Sequence, residues 1–465
     1  MKKFLILIFT VTVGLNLLSY SLLERESGNF IENNDARSSA MGGAAVSGGN
    51  RLFDAFINPA NLGMMKKGFG YQFSLGVMKN DDNRSLPMYN FFDGYIDDAT
   101  YASNVNYFSE YSLGIHYKYS FEKFGLSAAA FYRPLVDFNS YYKEEVRNDE
   151  GSDYNQYPQI IAQNYIEGDG TINSMGFVSS FNYKDLLSIG FEFSKLDGDT
   201  KLSKRVDWSD YAEETVAGDL PDTSVVVKRD FDDFGLKIGG NIKISPRFSL
   251  GFSYSPKVEF DVETGGFVNG AKIDTLLYQY IYDENDVVID SLMYSDYFAQ
   301  KYGEYKIPSR FRIGFSFQPR NIMRTFFNCD VELVNWSAVN TLFDDEFNYY
   351  VGVEHKLSYN LPLRIGFRYN TDYHLIEDSE MVMAEKISMP TFTAGTGFSF
   401  LKNFRFDISA EYSHRKYETL DLFMDGFYNY AELWNSITPE NRGWENPDEV
   451  SESFIKVVSS VSFKW

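Results

Sequence analysis

The sequence is poor in the residues on which several protein classes depend. Its 465 residues include one cysteine, Cys329, and four histidines. A single cysteine has no partner in the chain, so a disulfide-stapled scaffold is excluded. The histidines lie far apart and lack the spacing of metal ligands, so we expect no metal site from them. They are His116, His355, His374 and His414.

Basic residues and long apolar runs are also scarce. The chain has 43 Lys and Arg against 65 Asp and Glu, a formal net charge of −22. This sign excludes a cationic nucleic-acid binder, and we expect no nucleic-acid partner. The one long apolar run covers residues 4–18, which disfavours a bundle of membrane-spanning helices.

The apolar run has the form of a secretory signal peptide. Lys2 and Lys3 precede it, and Ser19-Tyr20-Ser21 follows with small residues at the positions that a signal peptidase reads. An N-terminal membrane anchor is the alternative, but the run is shorter than the roughly 20 residues that a spanning helix needs. We therefore predict a signal peptide over residues 1–21 and an exported mature chain that starts near Leu22.

Aromatic residues, in contrast, make up 17% of the chain, which excludes a disordered acidic protein. From Gly68 onward they alternate with small or polar residues, the period of a β-strand. We count about fourteen such stripes, each about ten residues long. They cover 69–77, 113–119, 126–132, 177–183, 187–193, 236–244, 250–254, 311–317, 327–333, 349–353, 363–369, 392–400, 406–412 and 455–465.

The connections between the stripes alternate between short turns and long excursions. Short turns lie near residues 122–123 and 184–185, and long excursions cover residues such as 80–110 and 261–306. Half-buried strands of a soluble sandwich would explain single stripes, but this asymmetry and an even strand number are typical of outer-membrane barrels. We predict an all-β fold, a transmembrane antiparallel β-barrel of about 14 strands over residues 68–465, ending on Trp465.

Residues 22–67 do not alternate and are rich in small residues. They are too few for a separate domain and of a suitable length to fold inside the lumen as an N-terminal hatch (plug). Gly48-Gly49 and neighbouring glycines favour close backbone packing. A phosphate-binding loop is the alternative, but the lysine and hydroxyl residue of that motif do not follow.

Two motifs in this region resemble a known family. Ala40-Met41-Gly42-Gly43-Ala44 and Asn58-Pro59-Ala60 resemble the amino-terminal hatch of FadL-type outer-membrane transporters of hydrophobic compounds, a superfamily that includes the PorV-like proteins. The resemblance extends into the barrel, for example over residues 307–314. It implies a hatch that lies against a kink in the third strand, where a lateral path opens. The gate residues that it implies are Phe56, Asn58, Pro59 and Ala60.

The third stripe itself contains a candidate kink at Arg133 and Pro134. Proline cannot donate to a β-ladder and is confined to edges, ends or bulges of sheets. Pro134 would therefore break pairing where the family places its kink. Alternatively, Pro134 simply ends the strand at the outer rim.

Charged residues alternate with the apolar stripes on neighbouring strands and should face the lumen. Opposite charges on adjacent strands can pair across the ladder and fill the interior. A polar path or a site for a ligand headgroup is the alternative role. The predicted lumen charge network comprises Arg310, Arg312, Asp330, Glu332, Glu354, Arg364 and Arg368.

No catalytic constellation stands out, so we expect neither an enzyme nor a cofactor. Acidic pairs such as residues 344–346 and 232–233 could bind a divalent cation, although solvated turns explain them as well. The leading hypothesis is an outer-membrane protein that admits hydrophobic, lipid-like compounds by passive diffusion, with lateral exit near the third strand. Its expected partners are the lipid bilayer and the ligand. The alternatives are a PorV-like component that binds secretion-system subunits, and an open polar porin.

Charge is predicted to differ between the two ends of the barrel. The seven long excursions hold 50 of the 65 acidic residues and 15 of the 43 basic residues. An acidic outer crown would repel free carboxylates at low salt, over a Debye length of roughly 10 Å. This disfavours anionic ligands and favours neutral or cationic hydrophobes, unless divalent cations mask the loops.

Overall fold

The computed structural model describes residues 22–31, 34–90, 92, 94–147, 160–215, 223–272, 278–282, 288–293, 301–322, 324–357, 361–377, 382–400, 403–423 and 447–465. The predicted signal peptide, residues 1–21, lies outside the described residues. Within these ranges, no helix is both long and apolar enough to cross a membrane.

Fourteen strands form one closed antiparallel sheet, in which each strand pairs with the next along the barrel and β14 pairs with β1. Every apolar stripe of the sequence lies on one of them, which confirms the predicted barrel. The strands are β1 (Gly68–Tyr89), β2 (Tyr95–Phe121), β3 (Phe124–Asp137), β4 (Ile160–Tyr183), β5 (Leu187–Trp208), β6 (Thr223–Ser245), β7 (Phe248–Ser255), β8 (Arg310–Phe317), β9 (Phe326–Val334), β10 (Glu346–Lys356), β11 (Pro362–Glu377), β12 (Val382–Ser399), β13 (Phe404–Thr419) and β14 (Asp448–Lys464).

The two faces of the wall differ in polarity as the alternation predicts. Along β2, Ile115 and Tyr117 are about half exposed, whereas the intervening His116 and Lys118 are only 5% and 3% exposed. Apolar side chains thus point outward and polar ones point into the lumen. An outward apolar band of this kind is what contact with lipid requires.

The strands at one end of the barrel are longer than the sequence predicts. We expected an excursion over residues 80–110, but β1 and β2 reach 22 and 27 residues and pair almost to a turn near Gly94. That prediction was wrong because a ladder needs only backbone hydrogen bonds, and outside a bilayer neither face has to be apolar. The inward residues of this extension, such as Asn80, Asp82 and Asn104, are polar and buried, so no apolar stripe marks them.

The opposite end of the barrel, the short-turn end, has tight hairpins. Lys184 and Asp185 both have a φ of 52°, and the Leu186 N–H donates to the Tyr183 carbonyl at 2.9 Å. Two consecutive residues with positive φ give the hairpin turn whose twist matches that of the strands. The short turns predicted at residues 122–123 and 184–185 are confirmed.

The remaining elements are short. Within the described ranges, short α-helices are α1 (Ala36–Ser39), α2 (Asn61–Met64) and α3 (Asp210–Thr215), and 3-10 turns cover Leu22–Glu24, Phe53–Phe56 and Trp336–Ala338. Additional strands cover Asn29–Phe30, Ser140–Arg147, Val258–Asp261, Glu263–Val268, Ala271–Lys272, Tyr278–Tyr282, Val288–Met293 and Glu304–Ile307.

Residues 34–64, which we call the N-terminal body, lie inside the barrel. Their polar groups bond to inward-facing side chains on well-separated strands: the Ala36 N–H donates to Ser460 Oγ of β14 and the Ala45 N–H to Asp330 of β9, both at 2.8 Å. The stacked rings of Phe53 and Phe56, with centroids 5.0 Å apart, belong to a fully buried apolar cluster that includes wall residues of β3 and β4.

Candidate functional site

Three adjoining cavities lie between the barrel wall and the residues that precede β1. The outer cleft, of about 470 Å³, borders residues 22–31, which we call the N-terminal segment, and the rings of Tyr305, Trp336 and Phe343. An inner pocket of about 70 Å³ reaches Phe56, and a side pocket encloses about 130 Å³. Because ligand sites commonly enclose roughly 300–1,000 Å³, the outer cleft is the one of the three that can hold a small molecule.

Phe30 and Arg310 separate the outer cleft from the inner pocket, because both side chains line both spaces. The guanidinium carbon of Arg310 is 3.7 Å from the centre of the Phe30 ring, a close cation–π contact. The same guanidinium lies 4.0 Å from the carboxylate of Glu332. A ligand that moved from the cleft into the inner pocket would have to part the Phe30 ring from the wall.

The inner pocket ends at β3. The guanidinium of Arg133 lies 4.4 Å from the Phe56 ring centre and 3.4 Å from the carboxylate of Glu192 on β5. The Phe56 ring also packs 4.8 Å from the Phe131 ring. Along β3, exposed and buried residues alternate at first, whereas residues 133–138 are all buried. From Pro134 onward both faces of the chain are therefore covered, unlike the first part of β3.

β2 and β3 separate in the same region. Their ladder ends at the pair Leu113–Tyr132, although both strands continue. Beyond this pair β2 still pairs with β1, whereas the free edge of β3 pairs through residues 136–137 with the two-residue strand Asn29–Phe30. The N-terminal segment thus takes the place of β2 along this part of β3.

Pro134 lies at a shift of register within β3. In the ladder with β4, Leu135 has no opposite residue, so it is an extra residue between Pro134 and Val136. Such a bulge bends a strand, and the missing proline N–H suits it. The strand continues to Asp137, so Pro134 does not end β3 at the outer rim.

The three residues of the Asn-Pro-Ala motif lie elsewhere. The resemblance implied that Asn58, Pro59 and Ala60 lie against the third strand. Instead, Asn58 Nδ2 donates to the Gly240 carbonyl of β6 at 3.1 Å, and Ser188 Oγ of β5 donates to the Ala60 carbonyl at 2.8 Å. The structure therefore corrects the implied position from β3 to β5 and β6.

The physical reason for this position is the absence of a side chain at Gly190 of β5. A Cβ there would lie 2.3 Å from the carbonyl carbon of Pro59, so the backbone of the motif fits against this part of the wall only because the residue is glycine. Phe56, the fourth residue of the implied gate, is the one that contacts β3.

All residues of the predicted lumen charge network form ion pairs. Most pairs connect adjacent strands, as expected for charges that fill the interior. The N–O distances are 4.0 Å for Arg310–Glu332, 3.0 Å for Arg312–Asp330, 2.7 Å for Arg364–Glu354 and 2.6 Å for Arg368–Glu411.

The network also extends into the N-terminal body through two arginines that the sequence analysis did not single out. Arg37 lies 3.3 Å from Glu354 of β10, and Arg51 lies 3.2 Å from Asp407 of β13. They are the only basic residues between positions 34 and 64, and their isolation among small apolar residues is the signal that could have revealed them.

The N-terminal segment has its own anchors, which the sequence analysis also missed. Glu24 forms a buried ion pair with Arg415 at 2.7 Å. The Nη1 of Arg229 donates to the Glu26 carbonyl at 3.0 Å, while its guanidinium carbon lies 4.9 Å from the Phe138 ring centre. Among the described residues, no atom accepts a hydrogen bond from Arg229 Nη2, and Arg229 lines the outer cleft.

Asp54 is the most buried acid of the N-terminal body. Its carboxylate accepts hydrogen bonds from the backbone N–H groups of Asn50 at 2.7 Å and Arg51 at 2.8 Å, and Arg37 lies 3.8 Å away. Burial raises the pKa of Asp54 to about 6, and the nearby carboxylate of Asp35 adds to the rise. The group therefore titrates in the mildly acidic range.

No metal centre is present in the part of the chain that the structure describes: no three His, Cys, Asp or Glu side chains are grouped to hold an ion. The acidic residues that we considered as cation ligands contact protein groups instead. Asp345 accepts a hydrogen bond from the Ser337 N–H at 3.1 Å, Glu346 pairs with Lys386 at 2.6 Å, and Asp232 contacts Lys195.

No protein-family model and no curated protein matches the sequence. Solved structures do match the fold. A Pseudomonas aeruginosa FadL homologue has a TM-score of 0.54 and 12% identity, over 94% of this chain and 99% of that chain. The toluene transporters TodX of P. putida and TbuX of Ralstonia pickettii each have a TM-score of 0.53 and 14% identity, over 93% of this chain and 99% of theirs. The chain therefore has the fold of the FadL-type barrels.

Proposed function

We propose that the protein is an outer-membrane transport protein that admits hydrophobic small molecules by passive diffusion. The N-terminal body and segment form the hatch. A ligand enters the outer cleft, passes Phe30 and Arg310, and leaves sideways between β2 and β3. The observation that carries this proposal is the end of the β2–β3 ladder at the point where the inner pocket meets β3.

The character of the cavities supports a hydrophobic ligand. Aromatic rings border the outer cleft, and the cations near the inner pocket, such as Arg133 and Arg312, are paired with carboxylates. Charged side chains such as Arg25, Lys301 and Asp372 also line the outer cleft, so its aromatic rings would contact the apolar part of a ligand. The outward apolar band places the barrel in a lipid bilayer, and the matched structures include proteins named as toluene transporters.

The N-terminal segment explains how a lateral opening can remain closed at rest. An unpaired strand edge facing lipid is costly because its backbone groups have no water to bond. The strand Asn29–Phe30 satisfies the edge of β3 that β2 leaves open. Displacement of this strand would therefore connect the inner pocket with the gap between β2 and β3.

A reversible crosslink tests this path. With Cys329→Ala as background, Phe30→Cys and Val136→Cys introduce thiols at positions that face each other in the ladder, within the range that a disulfide spans. We expect oxidised cells to take up toluene no faster than cells without the protein. Reduction should restore uptake, because the same chain then regains a mobile segment.

The matched control joins β8 and β9 within the barrel wall and leaves the N-terminal segment unattached. Phe311→Cys with Leu333→Cys pairs two other facing residues in the same background. Uptake through this variant should not depend on oxidation. Full uptake by the oxidised Phe30–Val136 variant would refute the lateral path.

A PorV-like secretion role is the alternative from the sequence, and no observation reported above supports it. It would require stable association with other exported proteins. Purification of the full chain in mild detergent, with mass spectrometry of associated chains, distinguishes the two roles: we expect a lipid-like ligand and no stoichiometric protein partner.

A further inference from the structure

The short-turn end of the barrel carries a ring of exposed cations, the short-turn rim. The turns at this end contain only two carboxylates, Glu122 and Asp185. The rim is therefore strongly positive, although the whole chain is acidic. Six cations of these turns are Lys66, Lys67, Lys123, Lys184, Arg247 and Arg320, and all six side chains are exposed.

These cations differ from six lysines toward the opposite end of the barrel that have carboxylate partners, although the exposed Lys201, Lys228 and Lys272 of that end, within the described residues, have none. There, Lys257, Lys306 and Lys416 each lie within 2.8 Å of a carboxylate, and three further lysines also have carboxylate partners. Within the described part of the chain, no carboxylate lies within 4.0 Å of any of the six rim cations. The rim thus has charge that the protein does not neutralise.

Aromatic rings fix the level of the rim relative to the membrane. The Lys67 ammonium lies 5.4 Å from the Tyr119 ring centre, and the Lys184 ammonium lies 5.2 Å from the Tyr183 ring centre. Trp465, 83% exposed, ends the chain beside them. Tyrosine and tryptophan rings of membrane proteins concentrate at the height of the lipid headgroups. The cations therefore lie where lipid phosphates lie.

We propose that the short-turn rim binds the headgroups of anionic phospholipids in the leaflet that it contacts. Lysine and arginine near an anionic membrane surface are attracted to it, and the attraction falls off within a Debye length. Phosphate oxygens would supply the acceptors that the rim cations lack in the protein. The headgroups would also hold the barrel at a fixed depth, with its acidic end outside the bilayer.

Brominated lipids test this proposal, since bromine quenches tryptophan fluorescence at contact and Trp465 lies at the rim. The full chain is placed in phosphatidylcholine vesicles that contain a small fraction of brominated phosphatidylglycerol or, in parallel, brominated phosphatidylcholine. We expect several-fold stronger quenching by the anionic lipid, and loss of this preference at high salt. Equal quenching by the two lipids would overturn the proposal. An acidic protein that bound the rim instead would not change this conclusion.

Charge-neutral variants locate the effect. Lys66→Gln with Lys67→Gln and Arg320→Gln should remove most of the preference, whereas Lys257→Gln with Lys306→Gln and Lys386→Gln, at the other end, should keep it. An equal loss in both sets would also overturn the proposal. Because the rim lies outside the transport path, toluene uptake by the first set should be unchanged, which separates this test from that of the proposed function.

Discussion

The N-terminal body and the N-terminal segment are held in the barrel in different ways. The body is fixed by ion pairs with almost no solvent access: Arg37 and Glu354 side chains are 4% and 7% exposed, and Asp54 is fully buried. The segment borders the outer cleft and meets β3 through a strand of only two residues. Elements with few buried contacts open at lower free energy than the rest of a structure.

This difference indicates which part moves. Buried charges that lose their partners are costly, so the body and wall should remain one unit. The segment can leave β3 at the cost of its short ladder, while the buried Glu24–Arg415 pair at its other end should stay in place. We therefore expect transport mutants in the segment and stability mutants in the body.

The largest expected effect is on stability. Glu354→Ala removes the carboxylate shared by Arg37 and Arg364 and leaves buried guanidinium groups without it. Breaking a buried pair in this way costs about 3–5 kcal/mol. Urea titration in detergent micelles, followed by tryptophan fluorescence, should show a clearly lower midpoint.

The matched control removes an exposed carboxylate. Glu259→Ala breaks the ion pair with Lys257. The side chain of Glu259 is 54% exposed and that of Lys257 is 34% exposed. Exposed pairs contribute less than about 1 kcal/mol, so the midpoint should hardly change. Equal midpoints for Glu354→Ala and Glu259→Ala would show that the body is not fixed by its ion pairs.

A second effect should appear at Gly28 of the segment, which has a φ of 73° and lies so close to β3 that a Cβ would be 2.2 Å from Val136 Cγ1. Gly28→Ala should push the segment off β3, since alanine in this conformation also costs about 1–2 kcal/mol. We expect roughly ten-fold faster hydrogen exchange at Ile31. Toluene uptake should rise.

Gly42 is the counterpart in the body, with a φ of 65° and a Cβ position 2.5 Å from the Phe367 carbonyl. Gly42→Ala should lower the urea midpoint without any gain in uptake. If both glycine variants changed uptake in the same direction, the distinction between body and segment would fail.

A third, smaller effect concerns the bulge in β3. Pro134→Ala restores a backbone donor and frees φ, so the strand can straighten and the gap to β2 can narrow. Toluene uptake should fall several-fold at equal expression, with less than about 1 kcal/mol of change in stability. Unchanged uptake would mean that the proline does not shape the exit.

The smallest effect should be a change in pH dependence. Since the pKa of Asp54 is about 6 in the fold against 3.8 ordinarily, the folded state holds a proton that the unfolded state releases between these values. Stability should therefore fall as pH rises from about 4 to about 6, and level off above. Asp54→Asn keeps an acceptor for the Asn50 and Arg51 N–H groups and should flatten this slope. If stability fell equally with pH in the wild type and in Asp54→Asn, Asp54 would not be the group that causes the pH dependence.

Much of the wall could be predicted because each strand follows from a local pattern. Alternation at Ile115 and Tyr117 marks a strand wherever one face meets lipid. The same criterion failed over residues 80–110, where apolar residues such as Leu86 and Phe108 are interspersed with polar ones on the buried face and the ladder with the partner strand continues. Backbone pairing of that kind leaves no apolar period in the sequence.

The interior was harder to predict than the wall. Arg133 and Pro134 stand out in one strand, but the position of Asn58 against β6 depends on which glycines of a distant wall leave room. The Arg37–Glu354 pair spans 317 residues of sequence. No local rule relates residues so far apart.

The sequence by itself determined that this chain is a fourteen-stranded barrel with a small-residue region ahead of it, because lipid contact and closure impose a period on every strand. The tertiary structure alone decided where β2 and β3 separate, and that residues 29–30 fill the gap. Those features depend on contacts between elements, and the physical reason is that an unsatisfied strand edge takes whichever partner the fold brings within hydrogen-bonding distance.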